Sequence, residues 1–189
     1  IDYFTGEKED KMIEKLKSMG VKNLFLGIEN FDADVLSQSN KPGFKFEKLY
    51  NIVENATRQG IDLFLPIMIG MIGENQDSLK YNRECMEKLL QDFGQKEYGK
   101  GGIVRVDLSE AMPLRGTPWF ERIEKIDDVQ RFYKEKTGRN LADEIDPDYD
   151  ILINASTLFF RSTGLGIEGL GRGFKDLQTM CLKYLRQEQ

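Results

Sequence analysis

The sequence predicts an α/β chain with parallel strands, followed by a mostly helical extension. Two observations carry that expectation. The stretches SMGVKNLFLGIEN (18–30) and RQGIDLFLPIMIG (58–70) repeat a glycine, a short step and Leu-Phe-Leu in the same order, with Gly20 and Gly60 lying 40 positions apart. Each apolar run follows a helical pattern, and a near-continuous apolar run bounded by helices is the signature of a strand in a parallel sheet, whose faces helices cover.

The elements follow in order. A helix runs from about Glu7 to Met19 with Met12, Ile13 and Leu16 on one side, and Gly20 is placed to cap it. Val21 to Ile28 then reads as a buried strand. A second helix, Lys45 to Gln59, aligns Leu49, Ile52, Val53 and Ala56, and Gly60 ends it as Gly20 ended the first. Ile61 to Ile69 is the second strand, Gln76 to Phe93 the third helix, and Gly102 to Leu108 the third strand, with 94–101 as the loop between them. Three strands are too few for a closed barrel of eight. Beyond Ala111 the pattern is broken by Pro113, Gly116 and Pro118, which divides the chain into 1–118 and a helical region, 119–189. That region holds glycines at 164, 166, 169, 171 and 173, read as a mobile substrate loop or as a flexible connection between helices.

Composition narrows the function classes. A chain of 189 residues with 40% hydrophobic content can bury one good core. A net charge of -5 supplies no basic field for a phosphate backbone, so nucleic acid is not indicated as a partner. The longest apolar stretch, Leu63 to Ile69, is too short to span a bilayer, and the expectation is a soluble, cytoplasmic chain with no membrane partner. The absence of histidine removes the commonest metal ligand and every His-dependent triad. Cys85 and Cys181 are the only cysteines and neither sits in a CxxC pair, so no metal-ligating residues are assigned.

Ligands of parallel α/β folds sit beyond the carboxyl ends of the strands. Those ends read Gly27-Ile28-Glu29-Asn30, Ile69-Gly70-Met71-Ile72-Gly73-Glu74 and Asp107-Leu108-Ser109-Glu110-Ala111-Met112-Pro113. Glycine lets a ligand approach the backbone, and a carboxylate accepts bonds from hydroxyl or ammonium groups. Each feature also has a purely structural reading: Gly27 as relief of crowding, and Glu29, Asp32 and Asp34 as charges at the start of a helix. Gly70 and Gly73 lack the spacing of a P-loop or a dinucleotide fingerprint. A carboxylate pair for glycoside hydrolysis remains the weaker alternative.

Taken together, LFLGIENFDADVLSQSNKPG, LFLPIMIGMIGENQDSL and VDLSEAMPLRGTPWF resemble successive segments of the radical S-adenosylmethionine (radical SAM) enzymes, nearest the branch with cobalamin-dependent and methylthiotransferase-type members. Gly27-Ile28-Glu29, Val35-Leu36 and Lys41 match the first motif, Gly70, Gly73 and Glu74 the second, and Pro113, Gly116 and Thr117 the third. The likeness covers about Met12 to Phe120. It implies the C-terminal half of a partial (β/α)6, TIM-like barrel. It further implies that Gly27 is cofactor-binding, that Glu29 and Asn30 face the ribose or methionyl part of SAM, that Lys41 reaches its carboxylate, and that Ile69, Gly70 and Met71 border adenine. Asn30 stands where the family commonly has serine, and Met71-Ile72-Gly73 where it has Pro-Gly.

The family's CxxxCxxC loop has no counterpart here, and a [4Fe-4S] cluster cannot be held that way without three thiolates. The expectation is therefore a C-terminal fragment of a radical SAM enzyme that is inactive alone and binds no cofactor by itself. SAM and the cluster would be held in the full-length parent, with cobalamin as a further possible cofactor and the substrate unassigned. Such a cut would expose a sheet edge and favour a dimer. The rival reading is a non-catalytic α/β binding or interaction module.

Overall fold

The computed structural model describes residues 7–39, 41, 43, 45–94, 101–159 and 166–185. Helix α1 (Glu7–Ser18) leads into strand β1 (Asn23–Phe25), then come α2 (Ala33–Gln38), α3 (Phe46–Arg58), β2 (Asp62–Ile69), α4 (Gln76–Phe93) and β3 (Val104–Glu110). The three strands form one parallel sheet in the order β1-β2-β3. The remainder is helical: α5 (Pro118–Ile123), α6 (Asp127–Thr137), a 3-10 turn (Leu141–Asp143), α7 (Tyr149–Phe159) and α8 (Gly166–Leu185). Among the described residues no helix is long and apolar enough to cross a membrane.

The repeated glycines do the same job twice. After α1 the Val21 N–H donates to Leu16 O at 3.1 Å and Gly20 N–H to Lys17 O at 2.9 Å; after α3 Ile61 donates to Ala56 O at 3.0 Å and Gly60 to Thr57 O at 2.9 Å. Both glycines have positive φ, 85° and 74°. These are left-handed C-terminal caps that satisfy the last carbonyls and turn the chain straight into a strand.

Alternation along β2 shows how the sheet is covered. Leu63, Leu65, Ile67 and Ile69 are buried, and they share a core with Leu49, Val53 and Ala56 of α3 and Met86 and Leu89 of α4. Both crossover helices thus cover one face. The other face is open: Phe25 is 67% and Phe64 38% exposed, and the two rings stack at 5.7 Å across the β1–β2 pair. The runs expected to be buried on both sides are buried on one, because Leu-Phe-Leu alternates sides and its phenylalanine meets no covering layer among the described residues.

Helix α8 returns to this core through Leu170, Leu177, Met180 and Tyr184, whereas α5, α6 and α7 gather around a second core of Phe120, Ile123, Val129, Tyr133 and Leu152. The glycines expected in a loop need correction. Gly166, Gly169, Gly171 and Gly173 lie inside α8, while 164 falls outside the described residues. A Cβ at Gly173 would come within 2.9 Å of Leu79 Cδ1, so the small residue lets α8 lie close on α4, and packing overrides weak helix propensity.

Candidate functional site at the strand ends

Strand β1 stays in register with β2 as far as Phe25 opposite Phe64, but the next bridge joins Glu29 to Ile67, where unbroken register would place Ile28. One extra residue has entered β1. The ladder shows it: Leu26 N–H donates to Phe64 O at 3.0 Å, and the next donor to β2 is Glu29, to Pro66 O at 2.9 Å, while Met68 N–H returns to Glu29 O at 2.7 Å. A bulge of this kind re-aims a side chain.

Immediately afterwards Asn30 N–H bonds back to Ile28 O at 2.8 Å, which closes a three-residue turn around Glu29 at φ 64°. Glu29 is the one non-glycine residue of positive φ among those described, and this is the rarer, strained form of the γ-turn. The conformation persists because both backbone groups of Glu29 are tied to β2. The strain gives a test. Glu29→Gly should exceed Glu29→Ala in stability by about 1 kcal/mol, since only alanine retains the left-handed penalty. Urea midpoints of the two variants check this, and equal midpoints would mean that the turn is unstrained.

The Glu29 carboxylate pairs with the Lys41 ammonium at the mouth of a cleft of about 350 Å³. Met68, Met71, Met112, Leu114 and Trp119 form its apolar walls. Met68 was missed in the sequence, although period-2 alternation sets it on the opposite side of β2 from Ile67 and Ile69. An apolar enclosure lined also by one acidic group, Glu29, and two basic ones, Lys41 and Arg122, suits a ligand with a flat or apolar body and a polar, zwitterionic or hydroxylated end.

The other expected site residues divide. Met71 lines the Glu29 cleft; Ile69 and Gly70 line a separate small cavity; Gly27 is exposed beside the Glu29 carboxylate. Asn30 is taken elsewhere. It has no exposed surface, donates from Nδ2 to Glu74 Oε1 at 2.9 Å, and accepts the Asp32 N–H at 2.9 Å. The same Glu74 accepts from Gly70 N–H at 2.5 Å and from Asn82 Nδ2 at 3.2 Å, so the amide of Gly70 also points into the protein. Asp32 caps α2, accepting from Asp34 and Val35 N–H, which is its structural reading.

No group of three or more His, Cys, Asp or Glu placed to hold a metal ion exists among the described residues. Burial pushes the Cys85 thiol up to about 12 and the Cys181 thiol up to about 11, so both remain protonated and poor ligands at neutral pH. Two such thiols do not fit an iron–sulfur cluster.

No protein-family model and no curated protein matches the chain. A solved structure, archaeal Elp3 of Methanocaldococcus infernus with an N-terminal deletion (1-46), is similar at 16% identity and a TM-score of 0.37, over 82% of this chain. The chain spans 30% of that Elp3 chain.

Proposed function

We propose that the strand ends form one half of a SAM cradle, and that the parent protein is a radical SAM enzyme whose cluster-binding loop lies in another segment. The observation that carries the reading is Glu29, held in a strained turn after a bulge, with its carboxylate at the rim of the methionine-lined cleft. Backbone strain of about 1–3 kcal/mol is found where a surrounding structure forces a residue into a functional position. The order of the three sequence motifs supplies the cofactor's name.

In this reading Glu29 accepts from the ribose hydroxyls or the methionyl ammonium, Lys41 meets the carboxylate, and Met68 and Met71 flank the adenosyl group. Asn30 acts one step back, by anchoring the turn to Glu74. With a cluster held elsewhere in the parent, SAM would supply radical chemistry, and this chain's own residues would bind it, orient it and exclude water. No described residues fit the cluster.

Calorimetric titration of SAM into the parent polypeptide and its Glu29→Ala variant provides the test. Loss of one charge-assisted hydrogen bond should weaken binding about tenfold or more. Equal affinity removes Glu29 from the site, and a native polypeptide with no CxxxCxxC segment removes the enzyme reading. The open Phe25–Phe64 face favours the second reading, an α/β interaction module.

A further inference from the structure

Between the ends of β2 and β3 and the helices α7 and α8 lies a second, smaller cavity of about 110 Å³. It shares no lining residue with the Glu29 cleft. Its origin is visible in the strand pattern. Along β3, Val104, Val106 and Leu108 face the helices and belong to or pack on the core, and the next residue on that side is Glu110. The sheet therefore sets a carboxylate at the end of an apolar row, beside its register partner Ile69.

Helix α7 faces it with Asn154 and Thr157, which are three apart and so neighbours on one side of the helix. Ile153 and Leu170 complete the walls. The Thr157 hydroxyl spends its proton on Ile153 O at 2.8 Å, which leaves its oxygen as an acceptor. The side chains of Glu110 and Asn154 have no hydrogen bond or ion pair with any described residue. Among the described residues no lysine or arginine lines the space. The polar inventory is one carboxylate, one amide and one hydroxyl oxygen, a set rich in acceptors and carrying a single negative charge.

We propose that this cavity is a binding site for a small primary ammonium group, the head of an amine or amino-acid-like ligand. An ammonium has three donors and no acceptor, matching Glu110, the Asn154 amide oxygen and Thr157 Oγ1, while its first carbons meet Ile69, Ile153 and Leu170. The volume suits a head group rather than a whole ligand, whose remainder would extend past Glu110 to the solvent. The site shares no lining residue with the Glu29 cleft, and its ligand is distinguished from an adenine by the adenosine titration, since the family resemblance sets Ile69 and Gly70 beside that base. A neutral amide at 110 would keep the shape and lose the charge that selects an ammonium.

The amides of Gly70 and Gly171, which line the cavity, are the reporters. The full chain, labelled with 15N, is titrated with ethylammonium chloride and, at matched ionic strength, with tetramethylammonium chloride, potassium chloride and adenosine. Saturable shifts of both amides with ethylammonium alone are expected, with the half-saturation concentration raised about tenfold in Glu110→Gln and also raised in Thr157→Val. Equal shifts with potassium, an undiminished response in Glu110→Gln, or no response beyond that of a water-filled cavity would overturn the site. Saturation by adenosine in place of ethylammonium would overturn it too, by assigning the cavity to a nucleobase edge. SAM titration, read at the Met68 and Met71 methyl groups, reports the other cleft separately, so either proposal can fail alone.

Discussion

Replacing Glu74 by alanine should destabilise the chain by about 3 kcal/mol or more, one of the two largest losses expected from any single change at the strand ends. Its side chain is wholly buried and both carboxylate oxygens are used: Oε2 by Gly70 N–H, Oε1 by Asn30 and Asn82. Asn82 in turn accepts Phe31 N–H at 2.8 Å, and Asn30 accepts that of Asp32. One carboxylate therefore joins the loop after β1, the end of β2 and the first turns of α4. Removing it leaves three donors buried without that acceptor, and each such orphan costs about 1–3 kcal/mol. The glutamine variant keeps the volume but sets an NH2 against a donor, so it should lose about 2 kcal/mol. Urea unfolding of both variants measures this. Losses within about 0.5 kcal/mol, the range of an ordinary surface change, would show that water replaces the carboxylate.

The same network explains what could be read from the sequence and what could not. Gly20 and Gly60 were legible because a left-handed cap is a local event, set by the few residues around it. The cap of α2 by Asp32 was legible for the same reason. The bulge at Glu29 was not, since an extra residue is defined only against the neighbouring strand, and nothing in GIEN records the register with Ile67. Asn30 and Glu74 are 44 positions apart, so their pairing was invisible, and a polar residue at a strand end was read as facing a ligand when it faces the core.

The candidate site was legible in its location and only partly in its membership. Glu29, Lys41 and Met71 share one cleft, and Ile69 and Gly70 open on another, because β2 ends at Ile69 and the chain turns at Gly70, φ 87°, so that strand alternation no longer places Met71 on the side of Ile69. The glycines of α8 misled for a physical reason. Local propensity disfavours that helix, and only its packing against Leu79 and the sheet stabilises it.

Gly102→Ala should rival Glu74→Ala, by a different cause. Gly102 sits just before β3, where its N–H donates to Thr57 O at 2.7 Å and the next residue bonds twice to the start of β2: Leu63 N–H to Ile103 O at 2.8 Å, and Ile103 N–H to Asp62 Oδ1 at 3.0 Å. A Cβ there would lie 2.0 Å from Ile61 O, 2.3 Å from Ile61 C and 2.9 Å from Asp62 N. All three are backbone atoms. Ile61 is itself pinned by its bond to Ala56 O and by full burial, so no side chain can swing aside. To admit a methyl group, the start of β3 must move off β2 and break the two bonds at Ile103, at a cost of about 3 kcal/mol. Gly171→Ala is the contrast, because it lies within α8 with nothing inside 4 Å of its added Cβ. That change should stabilise the chain by about 0.5–1 kcal/mol through helix propensity. Thermal or urea unfolding of the pair compares steric and conformational effects of one methyl group. Equal stability of the two variants would mean that the β2–β3 approach is looser than the backbone distances state.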